Sequence, residues 1–445
     1  MSRLVILGGG ESGVGAAKLG VKLGYDVFLS DKGKLAEKYA NQLNEMGVEY
    51  ESGVHTEEKI LNADLVIKSP GIPETAPMIV ALRSAGVEII SEIEFAGRNS
   101  NARMICITGS NGKTTTTLLT HHLLTSSGVD AGLAGNVGHS LAAQVADNAH
   151  ELYVVELSSF QLDGMYQFKA DIAILTNITP DHLDRYEYKF ENYVDSKFRI
   201  LQNMGEGDLF IYGQDSPAVS EKLASFASIA PQSIGFTYCE ESCCGAKVVG
   251  DSVQVELDGR KFAVDKSGIS IKGRHNLYNA MAAICAVMRV GLTDEQIVNG
   301  LQSFPQVEHR LETVCVRDGV TFINDSKATN VDSSWYALDS MTQPVIWIAG
   351  GTDKGNDYSV LDDLVKAKVK RLVCMGLDNK KLIDHFGGMI PLSDTNSLEE
   401  CYAECVKYAE SGDVVLLSPC CASFDLFKNY ENRGELFKEI VKNHG

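Results

Sequence analysis

The stretch MICITGSNGKTTTTLLT, residues 104–120, constrains the fold of this chain more than any other. Its apolar opening reads as a buried strand, and the run from Lys113 reads as a helix. A strand that turns into a helix through a glycine loop is the unit from which parallel sheets are wound. The same turn aims the free N–H groups of the helix start at an anion. The pattern is G-x-x-G-K-T, shorter than the usual phosphate loop because Ile107 stands where the first glycine belongs. Gly109, Ser110, Asn111, Gly112, Lys113, Thr114 and Thr115 are therefore expected to hold the phosphates of ATP. Backbone N–H groups would wrap the oxygens, Lys113 would add a charge, and the Thr114 hydroxyl is placed for magnesium.

A second glycine loop opens the chain. In RLVILGGGESGVG the glycines Gly8, Gly10 and Gly13 satisfy G-x-G-x-x-G between a strand and a helix, and Asp31 closes the next strand. The loop predicts a diphosphate, with Asp31 where a ribose-binding acid sits. It does not say which nucleotide; a nicotinamide cofactor stays open on this motif, as does a tight turn with no ligand.

Acids gather downstream of the central loop. Glu156 closes the strand of VVELSSFQL, at the carboxyl edge where magnesium needs a further ligand; an exposed strand end is the alternative. TNITPDHLDRY brings Asn177, Asp181, His182 and Asp184 to the same edge, and a histidine among acids beside a phosphate loop points to metal or substrate.

Strand–helix alternation recurs three times over the 445 residues. Strands RLVIL, DVFLS, DLVIKS and VEIIS alternate with helices up to a polar stretch, GRNSNAR (97–103), that reads as a linker. A second alternation begins at Met104 and includes a helix around ENYVDSKFRILQNM. Period-two patterning over 245–272 suggests a small antiparallel meander, followed by the helix NLYNAMAAICAVMRVG. Pro305 ends the next helix. VIWIAGG, RLVCMG and DVVLLSP are the strands of the last third. The expectation is an α/β chain of three domains: a Rossmann-like one over 1–99, a central P-loop ATPase-like parallel sheet with its meander over 100–304, and a Rossmann-like one over 305–445.

Forty basic residues against fifty-nine acidic ones give a formal charge of −19, which disfavours nucleic acid and anionic membranes. No apolar run is long enough to span a bilayer and the chain enters a strand at once, so a cytoplasmic protein is expected. Eleven cysteines fit a reducing compartment; Cys106, Cys285 and Cys374 lie in apolar runs and read as core residues. Cys239, Cys243 and Cys244 lack the paired spacing of a zinc site.

Taken in order, TGSNGKTT, ELSSFQL, TNITPDHLDRY, GRHNLYNAMAA, EHRLE and NDSKATN resemble the Mur ligases, the ATP-dependent amide-forming enzymes of peptidoglycan precursor synthesis. The resemblance spans all three domains. KSPGIP (68–73), NDSKATN and LLSPCCASFDLFKNYENRG look like the branch that adds D-glutamate to UDP-N-acetylmuramoyl-L-alanine. It implies ATP at the second loop and the UDP-sugar diphosphate, rather than a nicotinamide, at the first. It further implies a monomeric bacterial enzyme, and two magnesium ions held by Thr114, Glu156, His182 and Lys197, the last carbamylated. On its residues alone Lys197 reads as an ordinary helix-surface lysine. Lys113, His182 and Lys197 would be the catalytic set. By the same resemblance Asn276, Asn279, Arg310 and Asp325 complete the ATP site, and Gly13, Ser30, Asp31, Gly71, Asn136 and His182 flank the UDP-sugar. Lys327, Thr329, Lys354, Ser423 and Tyr430 would form the D-glutamate pocket. Tyr430 stands where the family frequently has phenylalanine, and Cys420 where it usually has alanine. Alternatives are a sister ligase for another amino acid, a folate polyglutamate ligase, a nicotinamide dehydrogenase and a nucleotide-gated binding module.

Overall fold

Three sheets, each built on parallel strands, organise the chain, which a computed structural model describes over residues 2–240 and 245–443. The first runs Glu49–Ser52, Asp26–Asp31, Arg3–Leu7, Leu65–Lys68, Glu88–Ile90, parallel throughout. Leu4, Val5, Ile6 and Leu7 are all buried, because helices cover both faces and the strand reads as continuously apolar instead of alternating.

The second sheet has nine strands. Gln232–Thr237, Leu209–Gly213, Ile172–Leu175, Arg103–Thr108, Leu152–Glu156 and Gly132–Gly135 form its parallel part. The expected meander is present as Ala246–Val249, Ser252–Leu257 and Arg260–Asp265, with Val253, Val255 and Leu257 buried at period two. It is not a separate layer: Ala246–Val249 pairs in parallel with Gln232–Thr237 and so extends the same sheet. The third sheet runs Glu312–Arg317, Val320–Asn324, Val414–Leu417, Val345–Ala349, Val369–Met375, Leu392–Thr395, and only its first pairing is antiparallel.

The linker expected over 97–103 is shorter than that. Gly97 and Arg98 finish the helix Glu92–Arg98, whose Ser91 hydroxyl caps it by accepting from the Glu94 N–H, and Arg103 already opens the next strand. Charged residues on that helix look solvated in sequence, yet Glu94 is fully buried. It accepts the backbone N–H groups of Tyr166, Gln167 and Phe168 at 2.8–2.9 Å and the Arg98 guanidinium at 2.7 Å. Glu92, also buried, accepts from the Ser140 hydroxyl and the Ala142 N–H, both at 2.6 Å. These bonds and a shared apolar core, running from Leu4 and Ile6 through Phe95 to Met104 and Tyr153, join the first two domains.

By compactness the chain falls into two units, Met1–Ile269 with Tyr278–Phe304, and Ser270–Leu277 with Pro305–Gly445. Among the described residues no helix is long and apolar enough to cross a membrane.

Candidate active site

The central loop leaves the carboxyl end of Arg103–Thr108 and enters the helix Lys113–Ser126, as its sequence predicts. Gly109 and Gly112 have φ of +145° and +82°, a backbone that side chains resist. A Cβ on Gly109 would lie 2.0 Å from the Thr176 hydroxyl, and one on Gly112 2.4 Å from Asn279 Oδ1. The TNIT segment holds the loop open: Asn111 N–H donates to Asn177 Oδ1 at 2.9 Å, and the Thr176 hydroxyl donates to the Asn111 carbonyl at 2.6 Å. Lys113 folds back so that its ammonium donates to the carbonyls of Gly109 and Ser110, both at 2.8 Å, and lies across the loop. The result is a loop fixed in shape at a helix start, a position that suits a phosphate chain. Thr114 and Thr115 are buried on the first helical turn.

Strand register brings Glu156 level with this loop, opposite Ile107. It is no exposed strand end: only 1% of the residue is accessible, and Asn136 donates to its Oε1 at 2.8 Å. A hydroxyl and a carboxylate at the mouth of a phosphate loop are hard oxygen donors of the kind magnesium takes. Among the described residues no three His, Cys, Asp or Glu side chains are grouped to hold a metal ion.

Lys197 departs most from its reading as a surface lysine. It lies in the helix Phe190–Phe198, is 1% accessible, and donates to the Thr108 hydroxyl at 3.1 Å. Burial pulls its amine well below the usual lysine range, and the Lys113 charge pushes the same way. His182, in the left-handed region at φ 53°, stands edge-on to Phe160 with Nε2 3.6 Å from Asp181. The Arg185 guanidinium lies over the same Phe160 ring and reaches the Pro70 carbonyl of the first domain at 3.5 Å.

At the first glycine loop Gly8 has φ +105°, and a Cβ on Gly13 would strike the Gly8 carbonyl at 1.9 Å, so strand and helix approach as closely as a diphosphate turn requires. Asp31 bridges the turn, accepting from Gly9 N–H at 2.6 Å and Gly33 N–H at 2.7 Å. Ser30 is fully buried; its hydroxyl donates to Glu51 at 2.6 Å and lies 2.7 Å from His55 Nδ1. Gly71 is exposed in the loop that Lys68 ties down through the Ile72 carbonyl at 2.8 Å.

In the second unit Asp325 is buried between the Ser418 hydroxyl, which donates at 2.8 Å, and the Leu311 N–H at 3.2 Å. Burial raises its carboxyl to about 7, against the opposing pull of Ser418 and Arg310. Arg310 Nε is buried with no hydrogen-bond partner among the described residues, a donor suited to an incoming anion. The Lys327 ammonium sits 5.1 Å above the Tyr430 ring, and Thr329 N–H donates to the Lys327 carbonyl. Lys354 is exposed, whereas Ser423 is buried. Asn276 falls in this unit and Asn279 in the first. Cys420 is a fully packed residue whose thiol burial pushes up, and Cys106, Cys285 and Cys374 are likewise buried. Cys239 is exposed, while Cys243 and Cys244 lie outside the described residues.

Sequence reasoning passed over Arg433, which is 1% accessible and donates to the hydroxyl and carbonyl of Ser326 and to the carbonyl of Cys421. Burial draws its guanidinium down to about 10. A helical arginine reads as surface, and the sequence signal was its place at the end of LLSPCCASFDLFKNYENRG.

The arrangement is that of a ligase acting on nucleotide-bound substrates, and the comparisons with known proteins agree. Residues 2–91 match the model of the Mur ligase MurD-like N-terminal domain, 107–287 the Mur ligase middle domain and 309–421 the Mur ligase glutamate ligase domain. The chain belongs to the Mur ligase family. It is 50% identical over 444 residues to the UDP-N-acetylmuramoylalanine–D-glutamate ligase of Bacteroides fragilis, covering 99% of this chain and 100% of that one. The enzyme of the same name from Christiangramia forsetii is 49% identical over 442 residues, 99% of each chain. Among solved structures it is similar in fold to UDP-N-acetylmuramate-alanine ligase MurC from Thermotoga maritima, with a TM-score of 0.64 at 19% identity over all of both chains.

Proposed function

We propose that this chain is the ATP-dependent ligase that joins D-glutamate to UDP-N-acetylmuramoyl-L-alanine, a cytoplasmic step of bacterial peptidoglycan precursor synthesis. The observation that carries the proposal is the Lys113 loop with Glu156 and buried Lys197 beside it, in a chain aligned end to end with D-glutamate ligases. The domains are set at 1–99, 100–304 and 305–445, with the UDP-sugar at Gly13, Ser30, Asp31, Gly71, Asn136 and His182.

A carboxylate does not acylate an amine at neutral pH, so the alanyl carboxylate must first take the terminal phosphoryl group of ATP. Two anions meet in that step. Lys113 and the start of its helix would hold the phosphates and offset their charge. Magnesium, bound through Thr114 and Glu156 with a second ion at His182 and Lys197, would supply further neutralisation. A neutral, buried Lys197 amine is the form that adds carbon dioxide, and carbamylation would convert it to an anionic ligand. Arg310 and Asp325 would face the nucleotide, with Asn276 and Asn279 on the adenine side. Lys327, Thr329, Lys354, Ser423 and Tyr430 would orient D-glutamate so that its free amine attacks the acyl carbon and phosphate leaves.

The test is purified protein with ATP, magnesium and UDP-N-acetylmuramoyl-L-alanine, offered a panel of D- and L-amino acids. ADP should form with D-glutamate, and Lys113→Ala should lose turnover. Full activity of that variant, or ADP release indifferent to the amino acid, would overturn the reading.

A further inference from the structure

Two arms of the second unit, residues 352–358 and 419–423, are joined by a set of hydrogen bonds around one buried tyrosine that the ligation chemistry does not use. An antiparallel bridge sets them side by side: Thr352 N–H donates to the Ala422 carbonyl at 2.8 Å, and Ala422 N–H returns to Thr352 at 3.2 Å. Tyr358 stands at the centre, 2% accessible. Its hydroxyl donates to Asp353 Oδ2 at 2.7 Å and lies 3.3 Å from the Cys421 sulfur. Asn356 Nδ2 donates to the Cys420 carbonyl at 3.1 Å and reaches Tyr358 Oη at 3.3 Å. The other oxygen of Asp353 accepts from Gly355 N–H at 2.7 Å, Asn356 N–H at 3.1 Å and Lys381 at 3.1 Å, which shapes the turn carrying Lys354.

The donor count is closed. With its proton on Asp353, Tyr358 has lone pairs left for Asn356 and for the Cys421 thiol. The hydroxyl therefore touches both arms, one residue run from Lys354 and another from Ser423. Burial raises its phenol, so it stays a donor throughout the physiological range.

We propose that the Tyr358 hydroxyl is a positioning group that fixes the Lys354 arm against the Ser423 arm and so sets the length of dicarboxylate the pocket accepts. This rests on the reading of Lys354 and Ser423 as amino-acid contacts. Two cationic or hydroxyl contacts on separate loops select glutamate over aspartate only if their separation is held, and Tyr358 is the buried side chain whose hydroxyl spans both loops.

Full-length Tyr358→Phe preserves the ring volume and removes only the hydroxyl. The hydroxyl's bond between the arms is the weak one to the Cys421 sulfur, so KM for D-glutamate should rise about threefold to tenfold. At saturating D-glutamate kcat should hold within about twofold, KM for ATP and for the UDP-sugar should stay put, and the preference for D-glutamate over D-aspartate should shrink by a similar factor. Cys421→Ser, which keeps a donor and acceptor at the sulfur's place, should behave like the parent, and Cys421→Ala like Tyr358→Phe. Unchanged D-glutamate KM in Tyr358→Phe, or all three KM values rising together with a lowered melting temperature, would overturn the proposal. The parent protein reports separately on the substrate. If it turns over with a different amino acid, the D-glutamate reading fails, and the same KM comparison made with that amino acid decides the role of Tyr358.

Discussion

Glu94→Gln is the substitution whose cost the structure defines most closely. Each Glu94 oxygen accepts two donors: Oε1 takes Gln167 N–H and Arg98 Nε, and Oε2 takes the N–H groups of Tyr166 and Phe168. An amide has one oxygen, so whichever way glutamine lies its NH2 faces two donors and leaves both unpaired in a fully buried place. Hydrogen bonds to a charged group contribute about 1.5–3 kcal/mol each, giving a loss of about 3–6 kcal/mol. That is a large share of the roughly 5–15 kcal/mol a folded domain has in total. Both tryptophans, Trp335 and Trp347, belong to the second unit, so two probes separate the units. In urea, the far-ultraviolet circular dichroism of Glu94→Gln should show an early transition from the first unit, while the tryptophan fluorescence transition keeps its midpoint. A dichroism transition within about 1 kcal/mol of the parent would refute the reasoning, since it would mean that Glu94 contributes no net stabilisation through these bonds.

Three further outcomes are expected. Gly112→Ala places a methyl 2.4 Å from Asn279 Oδ1 on a backbone at φ +82°, so ATP affinity should fall at least about tenfold in a nucleotide titration; unaltered binding would count against the loop. The Asp325 carboxyl is raised to about 7, so the folded chain binds its proton more tightly than the unfolded chain does; its contribution is complete below about pH 4 and lost as pH climbs through about 7. The second unit should thus melt at a lower temperature at pH 8 than at pH 5, and Asp325→Asn should flatten that dependence. Protein equilibrated with isotopically labelled carbon dioxide should show a carbamate carbonyl resonance that Lys197→Met lacks; its absence from the parent would reject a carbamylated Lys197.

Where local chemistry sets the structure, the sequence was readable. The helix begins at Lys113 as expected because the glycine loop and the apolar strand before it leave one solution, and Arg3–Leu7 and Val345–Ala349 announce themselves as apolar runs. What stayed hidden depends on packing across elements. Lys197 and Arg433 carry the composition of solvated helix faces, and only the fold shows them buried. Nothing in the sequence marks Glu94 as buried, because three of its four donors lie more than seventy residues downstream, in a turn with no motif of its own. The extended strand Glu49–Ser52, half-exposed at a sheet edge, lacked the apolar run that marked its neighbours.

The charge balance explains how so acidic a chain can take polyanionic substrates. A net charge of −19 would repel ATP and a nucleotide sugar if charge alone governed binding. In the proposed reading the two glycine loops would instead rely on helix starts, whose partial charges are fixed in place and carry no net charge to be screened. Full charges are used sparingly: Lys113 lies across its own loop carbonyls, and Lys197 is buried where burial and Lys113 both favour its neutral form. Two protonated lysines here would repel each other, whereas one cation beside a neutral amine does not. That repulsion adds to burial in drawing the Lys197 amine down, before any modification is considered.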